Sequence, residues 1–163
     1  MLKEHLDPLL TKARRVVILG AGSELRGDDA AGMLLIRQLE ELLGNLPEVL
    51  LIAGSTAPEN FSGQIKSFAP DLLLIADAAH LEEKPGSVGI IPPEQIKGIS
   101  FSTHMLPFSL LLQYLQAEIG CPVLILGIQP KSTEFGTEIS PVITEAVTGL
   151  AEDLTSLIRE HIR

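Results

Sequence analysis

Short apolar runs alternate along this chain with longer stretches in which apolar residues recur at helical spacing. Val16–Leu19, Val49–Ile52, Leu72–Ala76 and Val123–Leu126 are continuous, branched and uncharged. That pattern marks strands buried on both faces. Ser87–Ile91, closed by Pro92-Pro93, reads as one more strand. Between these runs the period changes. Leu2, Leu6, Leu9 and Leu10 make one side of an amphipathic helix over Leu2–Arg15, and Ala30, Met33, Leu34, Ile36, Leu39 and Leu42 define a second. Pro58 opens a third, carrying Phe61, Ile65 and Phe68 before Pro70 stops it. Leu106–Ile119 ends at Gly120, and Pro141 opens a last helix through Val142, Ala146, Leu150, Leu154 and Leu157. Asp77 is expected to terminate the third strand, with Ala78–Pro85 an exposed loop and Lys131–Thr137 a polar one.

Strands that alternate with helices imply right-handed crossovers and a sheet covered on both sides. The expected fold is therefore a three-layer α/β/α sandwich around a mainly parallel, twisted sheet of roughly five strands. One domain over residues 1–163 fits this length, with residues 1–14 as an N-terminal helical extension.

Composition narrows the class of function. Hydrophobic residues are 45% and charged residues 20%, which fits a globular core. The net charge of −9 disfavours nucleic acid and anionic membrane surfaces as partners. No apolar run approaches the roughly 20 residues of a membrane span. The N-terminal stretch carries charges throughout and lacks the apolar segment of a signal peptide, and the single cysteine has no internal disulfide partner. The expected location is cytoplasmic.

The candidate chemistry gathers around Val16–Gly32, where the first strand ends in glycines and leads through a polar loop to Asp28-Asp29. Leu25 stands where a dinucleotide fingerprint requires its third glycine, and Asp28-Asp29 stands where a P-loop requires Lys-Ser/Thr. Carboxylates there repel phosphate, so the loop suits a cation or a proton and no nucleotide is expected. Acids at a helix start also serve as caps, and that role competes for both residues. Ligand sites of open α/β sheets lie at the carboxyl ends of the strands, where Asp29 and Asp77 fall, and His104 precedes a helix in a loop that can reach the same edge. Two carboxylates and an imidazole suit a borderline divalent metal with open positions. Alternatively, Asp29 and Asp77 share a proton and activate water. Ser23, Ser55 or Ser102 beside His104 lacks a G-x-S-x-G elbow. Cys121, next to Pro122, reads as a buried small apolar residue. Glu59 is a further acid near the same edge, ranked behind Asp29.

Taken together, GAGSELRGDDAAG at Gly20–Gly32, GSTAPEN at Gly54–Asn60, LLLIADA at Leu72–Ala78, STH at Ser102–His104 and LGIQP at Leu126–Pro130 resemble the hydrogenase maturation endopeptidases. The resemblance is to the branch serving formate hydrogenlyase-type (hydrogenase 3) enzymes, and it spans the chain from Arg15 to the last helix. It implies a peptidase that removes the C-terminal extension of a nickel–iron hydrogenase large-subunit precursor once nickel is in place. It also implies that Asp29, Asp77 and His104 contact the nickel carried by that substrate, with Asp29 and Asp77 catalytic. Gly27, Asp28, Gly54 and Glu59 are expected to support the loops or meet the substrate. The chain departs from the family at Ala53, where an acid is common. A non-cleaving, metal-dependent docking module for the immature large subunit is the competing reading.

Overall fold

The computed structural model describes residues 2–96, 98–101 and 108–162. The elements run α1 (Leu2–Lys12), β1 (Val16–Ala21), α2 (Ala31–Leu43), β2 (Val49–Ser55), α3 (Ser62–Phe68), β3 (Leu72–His80), β4 (Val88–Ile91), β5 (Ser100–Phe101), α4 (Phe108–Ile119), β6 (Val123–Ile128) and α5 (Pro141–His161). Single turns of 3-10 helix cover Gly27–Ala30, Pro58–Phe61 and Pro93–Gln95. The sheet order is β2-β1-β3-β6-β4. β2, β1, β3 and β6 are mutually parallel. β4 closes the sheet antiparallel to β6, and β5 pairs antiparallel with the far end of β3.

The alternation of each strand divides the core in two. Val16, Ile18, Leu72, Leu74, Ala76, Leu126 and Ile128 point to one face and meet α1, α2 and α5. Val17, Leu19, Leu73, Ile75, Val123 and Ile125 point to the other and meet Ile65 of α3 and Leu111, Leu112 and Leu115 of α4. Val16–Ala21 of β1 and Leu72–Ala79 of β3 are buried throughout, as strands packed on both sides require. The three-layer α/β/α architecture is thus as the periodicity predicts.

Three local expectations are corrected. Asp77 does not end β3: it pairs with Gly127 of β6, and the strand continues through Ala78 and Ala79 to His80. Ladder bonds use backbone atoms alone, so the aspartate side chain does not interrupt them, and Asp77 is fully buried within the strand. The loop after it therefore starts at Leu81. The short β5, which no periodic run announces, takes up the pairing of Ala79 and His80 once β6 has ended. Finally, α2 starts at Ala31, because residues 27–30 form a tighter turn.

Candidate functional site at the carboxyl edge of the sheet

Gly22 leaves β1 with φ +130. A Cβ there would sit 1.8 Å from the Asp29 carbonyl oxygen and 3.6 Å from Asp77 Oδ1. Only glycine gives the backbone this path. The exit of β1, the Gly27–Ala30 turn and the Asp77 carboxylate are consequently pressed against one another. The next backbone amide, Ser23 N–H, donates to Asp29 Oδ2 at 3.2 Å. Asp29 is 3% exposed and Asp77 is fully buried. Buried carboxylates are costly unless they are held by donors, charges or a metal.

Neither aspartate caps α2, whose N-cap position is Ala30 with no side-chain bond. Asp28 turns instead to the segment before α5. Its Oδ1 accepts from Ser140 N–H at 2.6 Å, and its Oδ2 accepts from Lys131 N–H at 2.9 Å, Ser132 N–H at 3.0 Å and the Ser140 hydroxyl at 2.8 Å. Burial pushes the carboxyl up, but these four bonds outweigh it and hold Asp28 below the usual carboxylate range. The Asp28 and Gly27 amides bond back to the carbonyls of Ser132 and Thr137 at 2.9 and 3.1 Å. At Gly27, with φ +55, a Cβ would lie 2.5 Å from Thr137 Oγ1. The polar loop Lys131–Thr137 and the residues after it as far as Ser140 are thereby strapped onto the Gly-Asp-Asp turn.

A cleft of about 190 Å³ opens beside this turn, lined by Arg26, Asp29, Ala78, His80, Ser100, Phe101, Pro130 and Thr133. Asp77 does not line it. Along β3, Asp77 shares its face with Leu73, Ile75 and Ala79, and the cleft is lined instead by its strand neighbours Ala78 and His80. Arg26 and His80 are cleft residues that motif reading passes over. Arg26 lies in the same loop as Asp29, and His80 ends β3 three residues past Asp77, at the same edge of the sheet. Gln129, from the LGIQP stretch, steadies the exit of β3 by accepting from Leu81 N–H at 2.6 Å.

The remaining sequence candidates fall as follows. Gly54 is buried against β1, where a Cβ would meet the Gly20 carbonyl at 2.9 Å. Glu59 lies half-buried in the Pro58–Phe61 turn after β2 and is not on the lining of the Asp29 cleft. His104 lies outside the described residues, as do Ser102 and Thr103. Cys121 is half-buried rather than fully buried, packed against the α3–α4 core, and burial pushes its thiol up, away from reactivity. Among the described residues, Asp7, Glu160 and His161 form a trio with ligand atoms within 4.8 Å of one another. That trio is an ion-pair network joining α1 to α5: His161 meets Asp7 at 2.8 Å, and Lys3 meets Glu160 at 3.1 Å.

Comparison with known proteins gives this geometry its context. The profile of HycI, the hydrogenase maturation protease family, matches residues 33–157. The hydrogenase 3 maturation protease of Escherichia coli K12 is 36% identical, over 80% of this chain and 83% of its own length. The chain belongs to the hydrogenase maturation proteases. The crystal structure of the HycI hydrogenase maturation protease of Thermococcus kodakarensis KOD1 superposes with a TM-score of 0.87 at 34% identity, covering 95% of this chain and 99% of that one. HybD from Thermococcus kodakarensis follows at 0.72 and 25%, covering 88% and 98%. As a member of this family the chain is a peptidase. Among the described residues no helix is long and apolar enough to cross a membrane.

Proposed function

We propose that this maturation protease removes the C-terminal extension of a nickel–iron hydrogenase large-subunit precursor, and that it recognises the precursor by the nickel already inserted there. The observation that carries the reading is the convergence of Asp29 and Asp77 on Gly22–Ser23, at the carboxyl edge of the sheet, in a chain of this family. Two enclosed carboxylates are a donor set suited to a borderline divalent ion, and His104 completes it by the family resemblance. The nickel is the substrate's own and needs no resident site.

Docking of that ion against Asp29, Asp77 and His104 fixes the scissile peptide beside the carboxylates and removes much of the entropic barrier. Water attacks the carbonyl carbon. A carboxylate takes the water proton, the precursor's metal polarises the reacting groups, the C–N bond breaks and the proton passes to the leaving amine. Asp28 stays outside this chemistry, because its four acceptor contacts are already used by residues 131, 132 and 140.

Mass spectrometry of a nickel-loaded precursor incubated with the protein tests the reading, with nickel-free precursor alongside. The expected result is loss of a short C-terminal peptide from the loaded sample alone. Asp29→Ala and Asp77→Ala should each slow it at least about a thousandfold while keeping the far-UV circular dichroism of the parent. Equal cleavage of both samples removes nickel recognition. A precursor that is bound and left intact removes the peptidase role and favours a docking module.

A further inference from the structure

The two most exposed large apolar side chains among the described residues are Phe135, at 71%, and Leu25, at 65%. They are neighbours in space: the Gly136 N–H donates to the Leu25 carbonyl at 2.8 Å. Both loops are tied down around them. Thr137 Oγ1 donates to the Glu134 carbonyl at 2.7 Å, Gly27 N–H to the Thr137 carbonyl at 3.1 Å, and the Asp28 carboxylate grips residues 131, 132 and 140. A slack loop exposes apolar groups by default, whereas here a bonded scaffold presents them outward. Arg26, next to Leu25, and Thr133, two residues before Phe135, line the Asp29 cleft, so the apolar pair stands close beside the reaction site. Exposed apolar residues next to a site mark contact with a partner rather than stability.

We infer that Leu25 and Phe135 form a rigid docking lip for an apolar surface of the large-subunit precursor beside its C-terminal extension. This inference rests on the precursor-processing reading above. The lip grips the folded body of the substrate and the cleft receives the chain to be cut. Selectivity for a precursor over a free peptide follows from that division.

The test is the Leu25→Ser/Phe135→Ser double variant, assayed for cleavage of nickel-loaded precursor and for binding to it. Leu42→Ser, at the far end of α2, is the exposed-apolar control. The lip predicts a rise in KM of about tenfold or more, with kcat within about twofold and an unchanged melting temperature, while Leu42→Ser leaves KM as it was. If the parent binds but does not cut, a tenfold loss of affinity in the double variant still supports the lip and overturns only the peptidase reading. Parent-like KM and affinity in the double variant overturn the lip while processing stands. A dimer of the parent that the double variant loses, with KM unchanged, assigns the lip to a second copy and overturns the precursor as its occupant. A parent that neither binds nor cuts overturns both readings.

Discussion

At the scale of single residues, the site depends on what Gly22 lacks. Any side chain there drives a carbon to 1.8 Å from the Asp29 carbonyl, and the backbone at φ +130 is strained besides. Backbone atoms cannot rotate out of the way as a side chain can, so the Gly27–Ala30 turn must move and carry the Asp29 carboxylate with it. Gly22→Ala is therefore expected to lower stability by at least about 2 kcal/mol in urea unfolding and to reduce precursor cleavage at least about a hundredfold. Gly44→Ala is the control for strain alone. It also has positive φ, but a Cβ there meets nothing within 4 Å. A cost of about 1–3 kcal/mol with cleavage retained is expected there. Equal losses of cleavage at both positions would show that strain, not displacement of Asp29, is at work. Asp29 and Asp77 are legible from sequence because each follows a buried apolar run, which fixes the sheet edge they occupy. That Asp28 supports a loop is expected from the sequence, but which loop is not: Ser140, its main partner, is 112 residues away, and no local pattern encodes that contact.

At the scale of elements, the Asp28 clamp joins the turn before α2 to the strap before α5. Three backbone N–H donors and a hydroxyl converge on one enclosed carboxylate. Its removal leaves those donors without an acceptor in a part-buried place. Asp28→Ala is expected to cost about 3 kcal/mol at pH 7. The sign with pH follows from the direction of the shift. Asp28 is held below its ordinary value in the folded state, so the unfolded chain takes up the proton first. The clamp's contribution is then complete above the unfolded value near about pH 4, and is lost as pH falls through the depressed native one. Urea midpoints of parent and Asp28→Ala should therefore converge between neutral and strongly acid pH. A constant gap would mean that the charge plays no part. The four parallel strands and the helices α2 and α5 lie where apolar spacing puts them, but burial departs from it in three places: β2, at the sheet edge, is only partly buried, and Leu42 and Val142, expected on the buried stripes, are each 39% exposed. The failures share a cause. A two-residue strand, a 3-10 turn in place of the first turn of a helix, and a strand running past an aspartate are all set by tertiary pairing, which a window of neighbouring residues does not contain. His104, singled out both by its place before a helix and by the family resemblance, lies outside the described residues.

At the scale of the whole molecule, one sheet serves two cores, and this makes the halves inseparable. Val16 and Ile18 of β1 belong to the core under α1, α2 and α5, while Val17 and Leu19 of the same strand belong to the core under α3 and α4. β3 is divided in the same way by Leu72 and Leu74 against Leu73 and Ile75. Neither core can melt without uncovering the opposite face of strands that the other still needs. Leu6, at 0% exposure on α1, and Leu112, at 1% on α4, probe the two sides. Leu6→Ala and Leu112→Ala should each cost about 3 kcal/mol and shift one common transition. Tyr114, the chain's single tyrosine, reports from α4, whereas far-UV circular dichroism is dominated by the longer helices α2 and α5. Coincident midpoints by both signals, in both variants, are the expected result, with the dependence on urea concentration unchanged. If Leu6→Ala moved the circular dichroism midpoint and left that of Tyr114 in place, the faces would be separate folding units. The Asp29–Asp77 site would then have to be held by the α1–α2–α5 side alone, since the clamp and the strap both belong to it. Coincidence means instead that a core substitution on α4, remote from the Asp28 clamp, weakens the site as much as one on α1.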